Sequence, residues 1–375
     1  MNYQSTNYFK HFARTIIFFV LFVSIINFLY DPFEKYLELI YRKVYVNEYI
    51  DELNKSNHGI EFIYENIRIL KNAMLAENTN RQCIVYGSSH GLQFGIVKQH
   101  NIVSSRCNSL INISVSSANI QDFLVYSYKF LRTDNPPKII FFELSPWIFQ
   151  KRVSMEVIEI ILEPYAYLTQ DNDIMNSLRN FSFLYNFFTE LSYLNNLISI
   201  FSYDLFYHSV NRAIENNFKV SSRLTYRTPS EEFNFYDGYD YNVLLPDGTL
   251  LYEKKKYERI KNNSVTLGDG SYNIRNYKNN LRLYLLFSEI VQLLQKKNFK
   301  IYFILTPYHP DVFRDSNAKN RNFLNQTESE IREIGRKLNI KIFGSYNSIE
   351  LGCLPTEFLD DNHPTRSCLD RINEN

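Results

Sequence analysis

Five short, nearly unbroken apolar segments are the feature that most constrains the fold of this chain. They are residues 83–87 (CIVYG), 109–114 (SLINIS), 138–145 (KIIFFELS), 300–306 (KIYFILT) and 340–344 (IKIFG). Such runs are typical of strands buried on both faces of a parallel sheet. Segments with helical spacing of apolar residues separate them, at 118–132, 275–298 and 325–338. This alternation predicts an α/β fold, a three-layer α/β/α sandwich with a parallel sheet.

The alternation is interrupted between about residues 150 and 270. Aromatic segments with helical spacing occupy the first part of this region, and Pro246-Asp247-Gly248 is predicted to form the turn of a hairpin. We interpret the region as an insertion over the sheet. Apolar spacing over 32–80 predicts a helical linker region, so the α/β domain is expected over 81–375.

The N-terminus carries a continuous apolar run from Thr15 to Tyr30. It is slightly shorter than the roughly 20 residues that usually span a bilayer. Lys10 and Arg14 precede the run and Asp31 follows it, which predicts a cytoplasmic N-terminus and an extracytoplasmic remainder. No small-residue cleavage site follows, so we expect an uncleaved single-pass anchor over 1–31. The alternative is a buried core helix.

The net charge of +1 and the charged fraction of 22% give the chain no polybasic or acidic bias. A protein that binds nucleic acid usually concentrates basic residues on one surface, so we expect no nucleic-acid partner.

Four cysteines, Cys83, Cys107, Cys353 and Cys368, stand in a chain that is expected outside the cytoplasm. An even number in an oxidising compartment favours disulfides, and a bridge between Cys353 and Cys368 would staple the C-terminal loop. All three pairings remain open, and free buried thiols are the alternative. No CxxC spacing suggests a metal site.

Polar residues collect where the predicted strands end. Ligands of open α/β sheets bind at the carboxyl ends of the strands. The polar residues at these ends are Ser88, Ser89 and His90 after the first strand, Glu143 and Ser145 after the third, His309 after the fourth, and FLDDNHPT (358–365) beyond the fifth.

The last of these stretches has the pattern of half a catalytic triad. Pro364 disfavours the helical region for His363, and Asp360 precedes His363 by three residues, within reach of one imidazole nitrogen. The carboxylate then orients the base, and a serine at a strand-to-helix turn supplies a hydroxyl for activation, with backbone N–H groups beside it. The structural alternatives are a turn residue at Asp360 and helix-capping serines at Ser88 and Ser89.

The segments IVYGSSH and DDNH resemble two blocks of the SGNH/GDSL superfamily of serine esterases and acyltransferases. Gly87 and Ser89 match its Gly-x-Ser block, and Asp360 and His363 match its Asp-x-x-His block. The single anchor and the GSS form are similar to the D-alanyl transfer protein of teichoic-acid modification and to O-acetylation proteins of bacterial exopolysaccharides. The resemblance implies a flavodoxin-like sheet, Ser89 as nucleophile, His363 as base and Asp360 as its partner, without metal or cofactor.

Two blocks of the family differ here. Where the second block usually offers a glycine to the oxyanion hole, this chain has NISVSSAN, so Ser116 or Ser117 is the expected donor. Where the third block supplies an asparagine, this chain has FELSP. Ser88, Glu143 and His309 are further candidates for oxyanion or substrate contacts, and His309 is an alternative base.

Together these features predict a membrane-anchored, extracytoplasmic serine acyltransferase or esterase. The expected substrates are acyl groups, above all O-acetyl, on a bacterial cell-envelope glycan. The resemblance implies a membrane-bound O-acyltransferase as acyl donor. The alternatives are a non-catalytic protein that keeps the fold and binds or assembles glycan, and a hydrolase of lipids or peptides.

Overall fold

The computed structural model describes residues 3–30, 46–62, 67–77, 80–95, 100–132, 135–149, 206–207, 209–211, 214, 240–261, 281–314 and 319–372. Most of the predicted insertion lies outside these residues, as do parts of the predicted linker region and of the helix expected at 275–298. The chain divides into two compact units, Met1–Glu48 with Asn172–Tyr226, and Tyr49–Asp171 with Arg227–Asn375.

The first unit contains the helix α1 (Tyr3–Tyr30). Large apolar side chains of α1 are exposed, with Phe18 at 73% and Phe19 at 63%. Across the portion of the chain described here, no helix combines the length and the hydropathy that a membrane crossing requires. The anchor over residues 1–31 stays a prediction.

The second unit contains a five-stranded parallel sheet flanked by helices. Its elements are, in chain order, β1 (Ile60–Glu61), α2 (Ile67–Glu77), β2 (Cys83–Tyr86), β3 (Leu110–Asn112), α3 (Ile120–Arg132), β4 (Ile139–Glu143), β5 (Val243–Leu244), β6 (Leu250–Leu251), α4 (Lys254–Lys261), α5 (Leu281–Lys296), β7 (Lys300–Leu305), α6 (Asp311–Arg314), α7 (Lys319–Leu338), β8 (Lys341–Gly344) and α8 (Arg366–Leu369). Short 3-10 helices follow β2, β4 and β8. All five apolar segments of the sequence form strands of this sheet, which confirms an α/β fold.

The strand order is β3-β2-β4-β7-β8, so the first strand along the chain lies between the second and the third. This is a doubly wound order, in which the chain reverses direction across the sheet between β2 and β4. Ligand sites of such sheets lie beyond the carboxyl ends of the strands at that reversal. The turns after β2 and β4 are therefore placed where a site is expected.

Both faces of the sheet are covered, which explains why the strands are apolar without alternation. Strand register places Val85, Phe141 and Tyr302 on one face and Tyr86, Phe142 and Phe303 on the other. The first three belong to a buried cluster with residues of the C-terminal segment, and the ring of Phe287 in α5 packs against Phe142 and Phe303.

The predicted hairpin is present as β5 and β6, which pair with β1 in a small antiparallel sheet. Its turn contains Gly248 with a φ of 82°, a conformation that favours glycine. The turn also approaches β3 closely, since the N–H of Asn112 donates to the carbonyl of Asp247 at 2.6 Å. A Cβ atom at Gly248 would lie 2.2 Å from the carbonyl oxygen of Asn112. The turn thus requires glycine for two reasons.

Two disulfides join the four cysteines. Cys83 at the start of β2 is bonded to Cys107, and Cys353 is bonded to Cys368. The second bridge closes the C-terminal loop that contains residues 358–365, as the sequence suggested. Of the three possible pairings, the structure has this one, with no free cysteine.

Candidate active site

The turn after β2 separates the roles of its two serines. Ser88 is the N-cap of the 3-10 helix Ser89–Gln93, and its Oγ accepts a hydrogen bond from the N–H of His90 at 3.2 Å. Its own N–H donates to Oε2 of Glu143 at 2.7 Å. A Cβ atom at Gly87 would lie 2.5 Å from the same oxygen, so glycine permits the close approach. The capping interpretation is right for Ser88 and leaves the hydroxyl of Ser89 available.

The loop after β8 fixes Asp360 and His363 relative to each other. Oδ1 of Asp360 accepts hydrogen bonds from the N–H groups of Asn362 at 2.9 Å and of His363 at 2.8 Å. The imidazole Nδ1 of His363 lies 2.8 Å from Oδ2 of Asp360. Burial alone would raise the pKa of Asp360, but the bonds and charge of His363 and the backbone N–H groups lower that pKa to about 2. The carboxylate is therefore ionised at neutral pH.

Two hydrogen bonds to other segments and one disulfide fix the position of this loop. The amide Nε2 of Gln93 donates to the carbonyl of Pro364 at 2.7 Å, and the N–H of His309 donates to the carbonyl of Asp361 at 3.0 Å. The Cys353–Cys368 disulfide closes the loop from outside. These contacts explain why a segment so near the C-terminus has a defined position.

Ser89, His363 and Asp360 form a hydrogen-bonded triad. Nε2 of His363 lies 2.9 Å from Oγ of Ser89, and Nδ1 faces the Asp360 carboxylate. An ionised carboxylate only accepts hydrogen bonds, so the imidazole proton lies on Nδ1 and Nε2 accepts from the serine hydroxyl. The side chains of His363 and Asp360 are 21% and 35% exposed, so both are reached from solvent. This is the arrangement of a nucleophile, a base and an orienting acid.

Glu143 anchors the serine turn from behind. It is fully buried, and its carboxylate accepts hydrogen bonds from the N–H of Ser88, from Oγ of Ser145 at 2.7 Å and from Oγ1 of Thr306 at 2.9 Å. Burial raises the pKa of Glu143, although the bonds from Ser145 and Ser88 oppose the shift. Sequence reasoning named Glu143 for substrate or oxyanion contacts, whereas its carboxylate is directed at the turn.

His90 is a buried neighbour of the base. Its Nδ1 lies 3.1 Å from Oγ1 of Thr306, and its ring centroid lies 5.0 Å from that of His363, edge to face. Because Thr306 donates its own proton to Glu143, Nδ1 of His90 is the donor in their contact. Burial, and then the charge of His363, lower the pKa of His90 well below its usual value. His90 is therefore neutral and packs against the ring of His363.

The remaining candidates, Ser116, Ser117 and His309, make other contacts. Ser116 and Ser117 are exposed, and their carbonyl oxygens accept from Nη2 of Arg68 at 3.3 and 3.2 Å. In the part of the chain that the structure describes, no hydrogen bond joins either serine to Ser89. Nδ1 of His309 accepts from the N–H of Asp311 at 3.3 Å, and its ring packs on Phe358. His309 thus supports the loop of His363, and it is His363 that contacts Ser89.

Tyr252 adjoins the triad and Lys256 packs on Tyr252; sequence reasoning missed both. The ring of Tyr252 lies 6.3 Å from that of His363, and Nζ of Lys256 lies 4.2 Å from the centroid of Tyr252. Both residues follow the hairpin, inside the predicted insertion. Only the hairpin pattern marked this segment, and that pattern gives no information on which site the hairpin reaches.

Within the described residues, no group of three or more histidine, cysteine, aspartate or glutamate side chains is placed to hold a metal ion. Comparison with protein-family models and with curated proteins finds no match to the chain.

Proposed function

We propose that this protein is a membrane-anchored, extracytoplasmic serine acyltransferase or esterase that acts on acyl groups, above all O-acetyl, of a bacterial cell-envelope glycan. The observation that carries the proposal is the continuous hydrogen-bonded line from Ser89 through His363 to Asp360. A serine hydroxyl becomes a nucleophile when a neighbouring base accepts its proton. The glycan and the acetyl group rest on the sequence resemblance.

The reaction proceeds in two halves at this triad. Oγ of Ser89 attacks the acyl carbonyl while Nε2 of His363 takes its proton, and His363 then gives that proton to the departing alcohol oxygen. In the second half a water or an acceptor hydroxyl loses its proton to His363 and attacks the acyl-serine. His363 returns this proton to Ser89 as the ester bond breaks. Water as acceptor gives an esterase, and a glycan hydroxyl gives a transferase.

The oxyanion of each tetrahedral intermediate needs nearby hydrogen-bond donors. The backbone N–H of Ser89 begins the 3-10 helix and donates to no other group among the described residues. It is our first candidate donor. Ser116 or Ser117 remains the proposed second donor.

Two observations support the proposed location. The exposed apolar side chains of α1 suit contact with lipid. The two disulfides suit an oxidising compartment outside the cytoplasm. A membrane-bound O-acyltransferase as acyl donor is the proposed partner.

A fluorophosphonate probe tests the nucleophile directly. We expect covalent labelling of one residue, Ser89, identified by mass spectrometry, together with hydrolysis of p-nitrophenyl acetate. Ser89→Ala should abolish both without changing the melting temperature. Labelling of another residue, or turnover that survives the substitution, would contradict the assignment.

A glycan-binding protein without catalysis is the second candidate. The partly exposed ring of Trp147 favours it. The centroid of this indole lies 5.1 Å from that of His90, which packs on His363, and an indole ring can stack on a sugar. An unlabelled Ser89, combined with glycan binding by the intact protein, would support this alternative.

A further inference from the structure

Lys256 is a half-buried cation beside the triad. It lies in the first turn of α4, and its Nζ lies 4.2 Å from the ring centroid of Tyr252. The ring centroid of the same Tyr252 lies 6.3 Å from that of the His363 imidazole. The ammonium group is therefore no farther from that imidazole than the sum of these two distances.

Among the described residues, no carboxylate lies within ion-pair distance of this cation. Throughout the described residues, Lys256 forms no ion pair and no side-chain hydrogen bond, and its one close contact is the Tyr252 ring. Burial lowers the pKa of Lys256, with Glu253 and Asp360 opposing the shift from a greater distance. A charge that is partly withdrawn from water costs free energy unless an opposite charge meets it.

The first turn of α4 does not favour the charge. Lys254, Lys255 and Lys256 occupy the first turn of α4, where no acidic residue accompanies them. The helix dipole disfavours cations at this end. The three lysines therefore do not stabilise their helix.

From the position of Lys256 we infer that the site takes an acylated sugar that carries an anionic group, a carboxylate or a phosphate, and that Lys256 binds that group. The inference rests on the proposed function and adds the charge of the substrate. A lysine ammonium is a point charge that accepts either anion, so the contact itself does not distinguish them. Tyr252 lies against both the ammonium and the imidazole of His363, so the anion and the reacting ester would belong to the same bound substrate.

Three matched substrates test the inference: an acetylated methyl glucoside, the corresponding glucuronoside and the corresponding glucoside 6-phosphate. Acetate release by the wild type should have a higher kcat/KM for one or both anionic sugars. Lys256→Met should lower that kcat/KM roughly tenfold, mainly through KM, and leave the neutral sugar within about twofold. The anionic sugar that loses most identifies the group. Lys255→Met is the control, because Lys255 is exposed on the same helix.

If Lys256→Met lowered kcat/KM equally on all three sugars, the inference would be overturned, because Lys256 would then act on Asp360 or support Tyr252. An equal loss in Lys255→Met, or no preference for anions in the wild type, would also overturn it. The proposed function fails separately, if no sugar is deacetylated in a Ser89-dependent way. Calorimetric binding of the same sugars to Ser89→Ala then still compares anionic with neutral ligands, with and without Lys256→Met.

Discussion

The side-chain amide of Gln93 donates a hydrogen bond of 2.7 Å to the carbonyl oxygen of Pro364. Gln93 ends the short helix that begins with Ser89, and Pro364 follows His363 directly. The segments of the proposed nucleophile, Ser89, and the proposed base, His363, are thus joined by a second contact outside the triad. Rigid placement of reacting groups is a major source of catalytic rate, so this contact should matter for activity.

Gln93→Leu should lower kcat of ester hydrolysis roughly tenfold with a smaller effect on KM, because the base is then less well placed for Ser89. Gln295→Leu is the matched control. Its amide makes a similar bond, at 2.9 Å, to the carbonyl of Leu338. The free energy of unfolding should fall by about 1 kcal/mol in both variants, but kcat should fall only in Gln93→Leu. Equal kcat values in the two variants would contradict a positioning role for Gln93.

Asp360→Asn should reduce kcat by roughly a thousandfold or more while the fold persists. The amide cannot stabilise an imidazolium, and it can hold the ring in the wrong tautomer. Asp361→Asn provides the comparison at the adjacent position, where the backbone carbonyl, which the substitution retains, accepts the bond from His309. Steady-state kinetics on p-nitrophenyl acetate separates the two. Comparable activity of Asp360→Asn and wild type would remove Asp360 from the mechanism.

The sheet and half of the site were predictable because they depend on local patterns. Apolar runs without alternation must be covered on both faces of the sheet. In β4, Phe142 packs against Phe287 on one face, and Phe141 lies in the buried cluster with Leu369 and Ile372 on the other. Asp360 and His363 lie three residues apart, so the geometry of one loop brings them together. The hairpin turn was predictable from Pro246-Asp247-Gly248, and the structure gives Gly248 the positive φ that such a turn needs.

The rest depends on tertiary contacts that no local pattern encodes. Ser88 and Ser89 are adjacent, and tertiary contacts give them different positions: Oγ of Ser88 lies 2.6 Å from Oγ of Ser145, whereas Oγ of Ser89 lies 2.9 Å from Nε2 of His363. Tyr252 reaches His363 because the hairpin docks on β3. Glu143 was expected to contact the ligand. It is instead buried behind the serine turn, where its carboxylate accepts three hydrogen bonds.

The two disulfides should differ in their effect on catalysis. Each closes a loop, of 15 residues for Cys353–Cys368 and 24 for Cys83–Cys107, and each should contribute about 3 kcal/mol to stability by restricting the unfolded chain. Replacing Cys353 and Cys368 by serine should also lower kcat, because the loop that contains His363 is then no longer closed by a disulfide. Replacing Cys83 and Cys107 should lower the melting temperature and retain kcat at temperatures where the variant is folded. The opposite pattern of kcat values would argue against this role of the C-terminal bridge.

Lys71 should make stability depend on pH in an alkaline window. This lysine is fully buried, and its ammonium donates to the carbonyls of Asn112, at 2.8 Å, and of Gly248. It therefore fastens the hairpin turn to β3. Burial lowers the pKa of Lys71 from 10.5 to about 7, with Asp247 opposing the shift.

Between these two pKa values, from about pH 7 to 10.5, the unfolded chain holds the proton on Lys71 and the folded chain does not. Stability rises with pH wherever the unfolded state binds more protons, by at most about 1.4 kcal/mol per pH unit for one group. The free energy of unfolding of the wild type minus that of Lys71→Met should therefore increase across this window, since other titrating groups cancel in the difference. Urea unfolding at several pH values measures it. A difference that stays constant or falls between pH 7 and 10 would show that Lys71 keeps its proton in the folded protein, and the hairpin would then be fastened to β3 by a charged lysine throughout that range.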